Sequence, residues 1–354
     1  IVASLAVIAA LPSGEPTANA RSVPTGVGQV PARFFGVVPQ SELGEADFDR
    51  MQGVVGTLRI PFYWYRIEPR PGVYDFAALD AVVGRAADRD IAVLPFVYGS
   101  PRWATSGEAT PPLRGRARAA WLSVLRRLVR RYGPGGGFWQ GRERRLPIRS
   151  WQIWNEPNFL LFWRPRPSPH DYARLLRTAA SAIRGADPAA TILAAGVAPV
   201  EAGMTPWGFL RGLYRQPGAR GAFDVAALHP YAPHVRWVAM QIRFVRRVMA
   251  EAGDAGTPLQ LTEIGVASGS ERRDAFNRGL RGQASYLRRV FALALHKRRY
   301  WHLSGLDWFT WQDVAGVDRH CGFCQHSGLF DLSGAPKPAW AVFEKAATSL
   351  TTGG

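Results

Sequence analysis

Trp151-Gln152-Ile153-Trp154-Asn155-Glu156-Pro157-Asn158 is the stretch on which the reading of this chain turns. Its first half has the apolar and aromatic character of a buried strand. Its second half presents an amide, a carboxyl group and a proline-enforced turn together at that strand's C-terminal end. A strand buried on both faces has no packing use for a glutamate. Glu156 therefore reads as a catalytic acid, and the rest of the chain should hold a partner opposite it.

Working outward, short apolar, β-rich runs alternate with amphipathic helical runs. Strands are expected near 34–38, 57–62, 91–97, the opening stretch, 191–197, 224–229, 259–262 and 303–310. Helices are expected near 45–55, 77–89, 116–132, 168–186, 207–215, 238–252, 281–298 and 338–350. The helix over 116–132 is the clearest. Trp121, Leu125, Leu128, Val129 and Tyr132 fall on one face, with Arg126, Arg127, Arg130 and Arg131 elsewhere. Ser168 followed by Pro169, with Asp171 at the third position, is a helix start. Eight strand–helix units with near-continuous apolar strands predict a parallel sheet covered by helices, closed as a single (β/α)8 TIM barrel over 34–350. No Gly-rich phosphate loop follows the first strand, which argues against a doubly wound dinucleotide fold. The glycine-rich loop to about 149 leads into a strand, on the face away from the chemistry, and reads as structural.

A hydrophobic content of 47 % with 13 Trp and 18 Phe supplies a large core and excludes global disorder. Residues 1–20 carry an apolar run ending Ala18-Asn19-Ala20, which resembles the end of a secretory signal peptide. An N-terminal extension over 21–33 precedes the barrel, and 351–354 form a tail. No later stretch is long and apolar enough to cross a bilayer, so an exported, soluble monomer is expected. The net charge of +17 rests almost wholly on arginine, since only Lys297, Lys337 and Lys345 are lysines. It points either to an anionic partner or to arginine filling exposed helix faces. Nucleic-acid binding would rest on charge alone, with no recognisable module, and is not expected. Cys321 and Cys324, in His320-Cys-Gly-Phe-Cys-Gln-His326, are expected to form a short-range disulfide in an exported chain. A metal held by them and the flanking histidines would crowd four ligands into seven residues, closer than usual zinc spacings.

In a barrel of this kind the chemistry sits at the C-terminal strand ends. Those ends offer Arg59, Tyr63, Trp64 and Tyr65, then Tyr98 and Trp103, Asn155 and Glu156, His229 and Tyr231, Glu263, and finally Trp308, Trp311 and Asp313. Only strands four and seven end in glutamate, and they lie on opposite sides of the mouth. Two carboxyl groups flanking a bond is the requirement of glycoside hydrolysis.

With Asn155-Glu156-Pro157, Glu263, Arg59-Ile60-Pro61, Ile67-Glu68-Pro69, Ser100-Pro101-Arg102-Trp103 and His229-Pro230-Tyr231 in view, the chain resembles clan A glycoside hydrolases. It lies in the neighbourhood of families 5 and 39 (cellulase- and β-xylosidase-like). The resemblance runs from about 34 to 345, and no room is expected for the β-sandwich accessory domain common in family 39. It implies a retaining double displacement on a carbohydrate, with Glu156 as acid/base, Glu263 as nucleophile and no cofactor or metal. It further implies that Asn155 donates to the sugar 2-hydroxyl and that Arg59 and Tyr231 hold Glu263 ionised. His229 belongs to the same polar shell, and Trp308 and Trp311 are expected sugar-stacking platforms. Those two are an odd number of residues apart, so an unbroken strand would turn only one to the mouth. Trp64 and Trp103, with Tyr63 and Trp163, are candidate cleft walls. The competing reading is a catalytically silent barrel that binds glycan or an acidic polymer through its basic surface. Neither reading identifies the sugar; an anionic, uronate-containing glycan is suggested by charge alone.

Overall fold

A computed structural model describes residues 30–269, 274–316 and 321–350. The signal-like run at 1–20 and His320 lie outside the described residues. Eight strands form one parallel sheet: β1 (Phe35–Val38), β2 (Thr57–Tyr63), β3 (Ala92–Tyr98), β4 (Ser150–Ile153), β5 (Thr191–Leu193), β6 (Ala226–Leu228), β7 (Leu259–Ile264) and β8 (Leu303–Phe309). The order is β5-β4-β3-β2-β1-β8-β7-β6, and parallel bridges Leu193–Val225 and Val197–Leu228 join its two edges. The sheet is therefore a (β/α)8 barrel, as the alternation predicts.

The helices of the outer layer are α1 (Glu45–Met51), α2 (Trp64–Ile67), α3 (Ala77–Asp88), α4 (Gly115–Tyr132), α5 (Pro169–Arg184), α6 (Pro206–Tyr214), α7 (Val235–Glu251), α8 (Gly279–Lys297) and α9 (Pro338–Leu350). The one-turn α2 was not expected. The start of α5 follows its sequence signal, with Ser168 Oγ accepting the Asp171 amide at 3.1 Å and Pro169 in the first turn. Every expected apolar position of α4 is buried, along with Val124, so its arginines are left on the outside. The loop after α4 is structural, as expected: Trp139 donates to Tyr132 O at 2.9 Å, and Arg142 pairs with Asp88 at 3.1 Å.

Strand alternation divides the apolar residues into two unequal cores. Outward side chains such as Leu58, Ile60, Phe62, Trp151 and Ile153 join the helices in one large cluster, while Leu94, Leu193 and Val225 form a small one of their own. The barrel interior also carries buried polar groups: Thr57, Arg59, Gln152, Thr262 and Asp307 are all at most 7 % exposed. Gly36 on β1 is part of that arrangement. A Cβ there would come within 2.0 Å of Asp307 Oδ1, so the side chain from β8 occupies the space β1 gives up.

Candidate active site

Arg59 is the hub, fully buried and held on the central, seven-pair β2–β3 register. Its Nε donates to Gln152 Oε1 at 2.7 Å, one terminal nitrogen to Glu263 Oε1 at 2.6 Å and the other to Asn155 Oδ1 at 2.9 Å. The guanidinium also lies 4.1 Å from the centre of the Phe96 ring. One side chain thus ties the ends of β2, β4 and β7 together. A buried charge is tolerable only when its donors are met in this way.

Glu263 receives a second donor from across the mouth, the Tyr231 hydroxyl at 2.6 Å from Oε2. Burial pushes the Glu263 carboxyl up, but the facing His229, the Arg59 charge and the Tyr231 and Arg59 hydrogen bonds more than offset it, leaving the group below the usual range. Tyr231 in turn is held far above the ordinary phenol range, by burial first and then by Glu263, and so remains a donor. Glu156 is held the other way. Burial raises it, and the opposing pull of His229, whose Nδ1 shares a 2.7 Å hydrogen bond with Glu156 Oε1, does not bring it back. The neighbouring Glu263 raises it further.

The backbone that presents Glu156 is strained. Trp154 has φ +74° and Glu156 φ +38°, both in the left-handed region that a non-glycine residue rarely adopts. Surrounding bonds fix them there: Trp154 N donates to Val97 O at 2.9 Å and Glu156 N to Gly196 O at 3.1 Å. Gly196 also has no room for a side chain. A Cβ would stand 2.1 Å from His229 Nε2, a buried nitrogen without a hydrogen-bond partner among the described residues.

Oxygen atoms of Glu156 and Glu263 and a ring nitrogen of His229 lie within 4.8 Å of one another. Such a trio could bind a metal in outline. However, both oxygens of Glu263 are already engaged, by Arg59 and Tyr231, and the Glu156 oxygen is shared with His229. The donor set suits a pair of carboxylic groups with opposed protonation better than a cation.

The tryptophans expected to line the cleft mostly do not reach it. Trp64 on α2 is fully buried, with its indole N–H on Glu68 Oε2 at 2.8 Å and its rings against Trp103 and Trp121. On β8, Trp308 points outward, is fully buried and donates to Ser327 O at 3.1 Å. Trp311, past the strand end, donates to Asp47 Oδ1 at 3.0 Å and packs on Phe330 and Trp340. Trp163 is buried against Trp154 and Tyr172. None of the four has a free face for a sugar. Trp103 is half-buried, with its N–H on Glu68 O at 2.9 Å. The aromatics near the carboxylates are others. Phe309 sits 5.9 Å from Tyr231 between ring centres, and Tyr63 stacks on Tyr65 at 5.1 Å and meets Tyr98 at 6.2 Å. Burial lifts Tyr63 to about 12.

Three further residues of the site are not evident from the sequence. Gln152 orients Arg59, Phe309 borders Tyr231, and Asp307 lies within the electrostatic reach of Arg59 and Glu263. Burial raises the Asp307 carboxyl to about 7, against the pull of Arg59 and of a 3.0 Å bond from Gln260. Strand alternation, applied to β8 residue by residue, would have put Asp307 and Phe309 on the inner face and Trp308 on the outer. Cys321 and Cys324 form the expected disulfide. Asp313, counted among the strand ends, instead pairs with buried Lys337 at 2.6 Å.

No family model matches the chain. A curated β-xylosidase from Geobacillus stearothermophilus is 25 % identical over 261 residues, 67 % of this chain and 47 % of the relative. The chain thus spans about half the length of the curated relative it matches. A family 39 glycoside hydrolase from Bacteroides cellulosilyticus superposes with a TM-score of 0.66 at 20 % identity, covering 91 % of this chain and 64 % of that one. A family 5 glycoside hydrolase from Streptomyces cattleya gives 0.67 at 17 % identity, covering 89 % and 80 %. The fold is that of the family 39 and family 5 glycoside hydrolases, and the relatives found are glycoside hydrolases.

Proposed function

We propose that the chain is an exported retaining β-glycosidase acting on an oligo- or polysaccharide. The observation that carries this reading is the pair of buried carboxyl groups with oxygens within 4.8 Å, one raised and one lowered in pKa. Retaining glycosidases hold their carboxyl groups about 5–5.5 Å apart, whereas inverting enzymes leave about 6.5–9.5 Å for a water.

Glu263, kept ionised, attacks the anomeric carbon and forms an ester bond to it as the glycosidic C–O bond breaks. The leaving oxygen takes the proton held on Glu156. Water then attacks the anomeric carbon, Glu156 accepts its proton, and the ester bond to Glu263 breaks, returning both groups to their starting states. Arg59 occupies the carbonyl oxygen of Asn155, which leaves the amide N–H groups to donate to the sugar 2-hydroxyl. Tyr63, half-buried and within the electrostatic reach of Glu263, supplies aromatic surface for a sugar ring.

Glu263→Ala and Glu156→Ala, assayed separately on activated aryl β-glycosides, should each lower turnover at least about a hundredfold. Because the curated relative is named a β-xylosidase, an aryl β-xyloside is the first substrate to try. Failure of both variants to lose activity, or an inverted product by NMR, sinks the assignment. Export is read from the run ending Ala18-Asn19-Ala20, and N-terminal sequencing of material recovered from the medium tests it.

A further inference from the structure

Several arginines of the outer helical layer are paired across the seams between elements. Arg85 and Arg89 of the α3 region meet Glu45 and Asp49, with bonds of 2.5–2.9 Å. Arg131 meets Asp80, Arg184 meets Asp224 at 2.9 Å, and Arg211 on α6 meets Glu251 on α7 at 3.1 Å. Among the described residues, no ion pair crosses the seam between α4 and α5. Arg118 and Arg126 on α4 face a cavity of about 380 Å³ whose other wall carries Arg174 and Arg177 of α5. Among the described residues, Arg174 pairs with Asp171 of its own helix, at 3.7 Å, and Arg177 donates to the Pro217 carbonyl. Among the described residues, no carboxylate forms an ion pair with Arg118, Arg126 or Arg130, and α4 contains no acidic residue at all.

A second cavity, of about 440 Å³, opens towards the C-terminal end of α4 between Arg126, Arg127, Arg130 and Arg131. Arg126 lines both. Apolar side chains share the lining, Leu122 and Leu175 in the first cavity and Phe76, beneath the Arg131 guanidinium, in the second. In the first, Pro112 and Leu113 come from the loop after β3, on the mouth side of the barrel. Both cavities lie along the 18-residue α4, about 27 Å long, with Arg126 bordering each, and together they mark an arginine-lined track down that helix.

We propose that this track is a non-catalytic binding site for an acidic polysaccharide. Like charges facing each other across a seam repel unless an anion lies between them, and guanidinium forks match carboxylates or sulfates bidentately. Leu122 and Leu175 flanked by guanidinium groups suit sugar rings, which offer C–H faces with acidic substituents at their edges. The track begins beside the mouth, so a bound polymer is kept at the rim where chain ends are presented. The site is built on the outer helices and does not depend on the catalytic assignment.

Binding of polygalacturonate, with neutral xylan as control, can be measured on full-length Glu263→Gln protein at about 50 mM salt, where screening is moderate. Arg126→Ala with Arg130→Ala in that background should weaken polygalacturonate binding about tenfold, the loss of two charge-assisted contacts. Arg243→Ala with Arg247→Ala, two exposed arginines on α7, removes the same charge elsewhere and should leave binding within about twofold. Equal weakening by both pairs means net charge alone acts, and overturns the proposal. So does tighter binding of single-stranded DNA or of anionic phospholipid vesicles through the Arg126/Arg130 face. Melting temperatures of both double variants separate lost binding from lost fold. Loss of turnover in Glu263→Ala tests the catalytic reading independently.

Discussion

Arg59 and Arg126 are the same residue type in opposite circumstances. Arg59 is inside the barrel with all three guanidinium nitrogens engaged, and Arg126 stands on the outer layer beside other arginines with no acidic partner among the described residues. The buried one has no freedom left, so its charge acts on its neighbours, chiefly by holding Glu263 ionised. The exposed one holds nothing in place and is available to a ligand. Burial, more than residue type, decides whether an arginine organises a site or receives a molecule.

That contrast can be broken by substitution. Arg59→Ala should cost the most, because it strands a buried carboxylate and leaves Gln152 and Asn155 without their donor. Turnover on an aryl glycoside should fall at least about a hundredfold, with about 3–5 kcal/mol of stability lost in urea unfolding. A modest loss of either would mean that Glu263 is held by Tyr231 alone. Asp307→Asn comes next. The folded Asp307 carboxyl is raised, so its contribution to stability is present at low pH and is lost as pH rises to about 7. Relative to the wild type, the amide variant should therefore gain a few kcal/mol between about pH 4 and pH 7. Parallel stability curves for the two proteins would show that the native carboxyl is not raised.

His229→Ala should act on proton affinity more than on the fold. His229 pulls Glu156 down, so without it the acid form persists to higher pH and the alkaline limb of kcat/KM moves upward. A limb that stays put or moves down would remove His229 from the control of the acid. Arg126→Ala alone is the smallest, within about 0.5 kcal/mol of the wild-type stability, as for surface positions generally. A larger destabilisation would show that the outer arginines support the fold after all.

The same inside–outside distinction explains what could be read from sequence. Glu156 and Glu263 stood out because a carboxylate at the end of a buried strand has no packing use, and Arg59 stood out on an apolar strand for the same reason. The Tyr231 bond to Glu263 followed from the resemblance. Tryptophan gives no such signal, since it suits a buried seam as well as a sugar platform. Trp308 and Trp311 were expected at the mouth, but the strand phase sends one outward and the chain past Phe309 carries the other over to α1. Trp64 was expected on a cleft wall and lies instead on the unforeseen turn α2. Gln152 and Asp307 give no such signal, because strands this rich in apolar residues read as apolar throughout, although a barrel wide enough for side chains has an interior that can be polar.

The left-handed backbone at Trp154 and Glu156 carries one more consequence. Each such residue costs on the order of 1–3 kcal/mol, and Glu156 adds the burial of its carboxyl group. Glycine adopts φ +38° without penalty and buries no charge. Glu156→Gly should therefore relieve the strain at 156, offset by the loss of the buried His229 bond, while turnover falls at least about a hundredfold. Part of the stability of this barrel is thus given up at the residue that carries the acid, and selection for thermal resistance alone would do nothing to keep it.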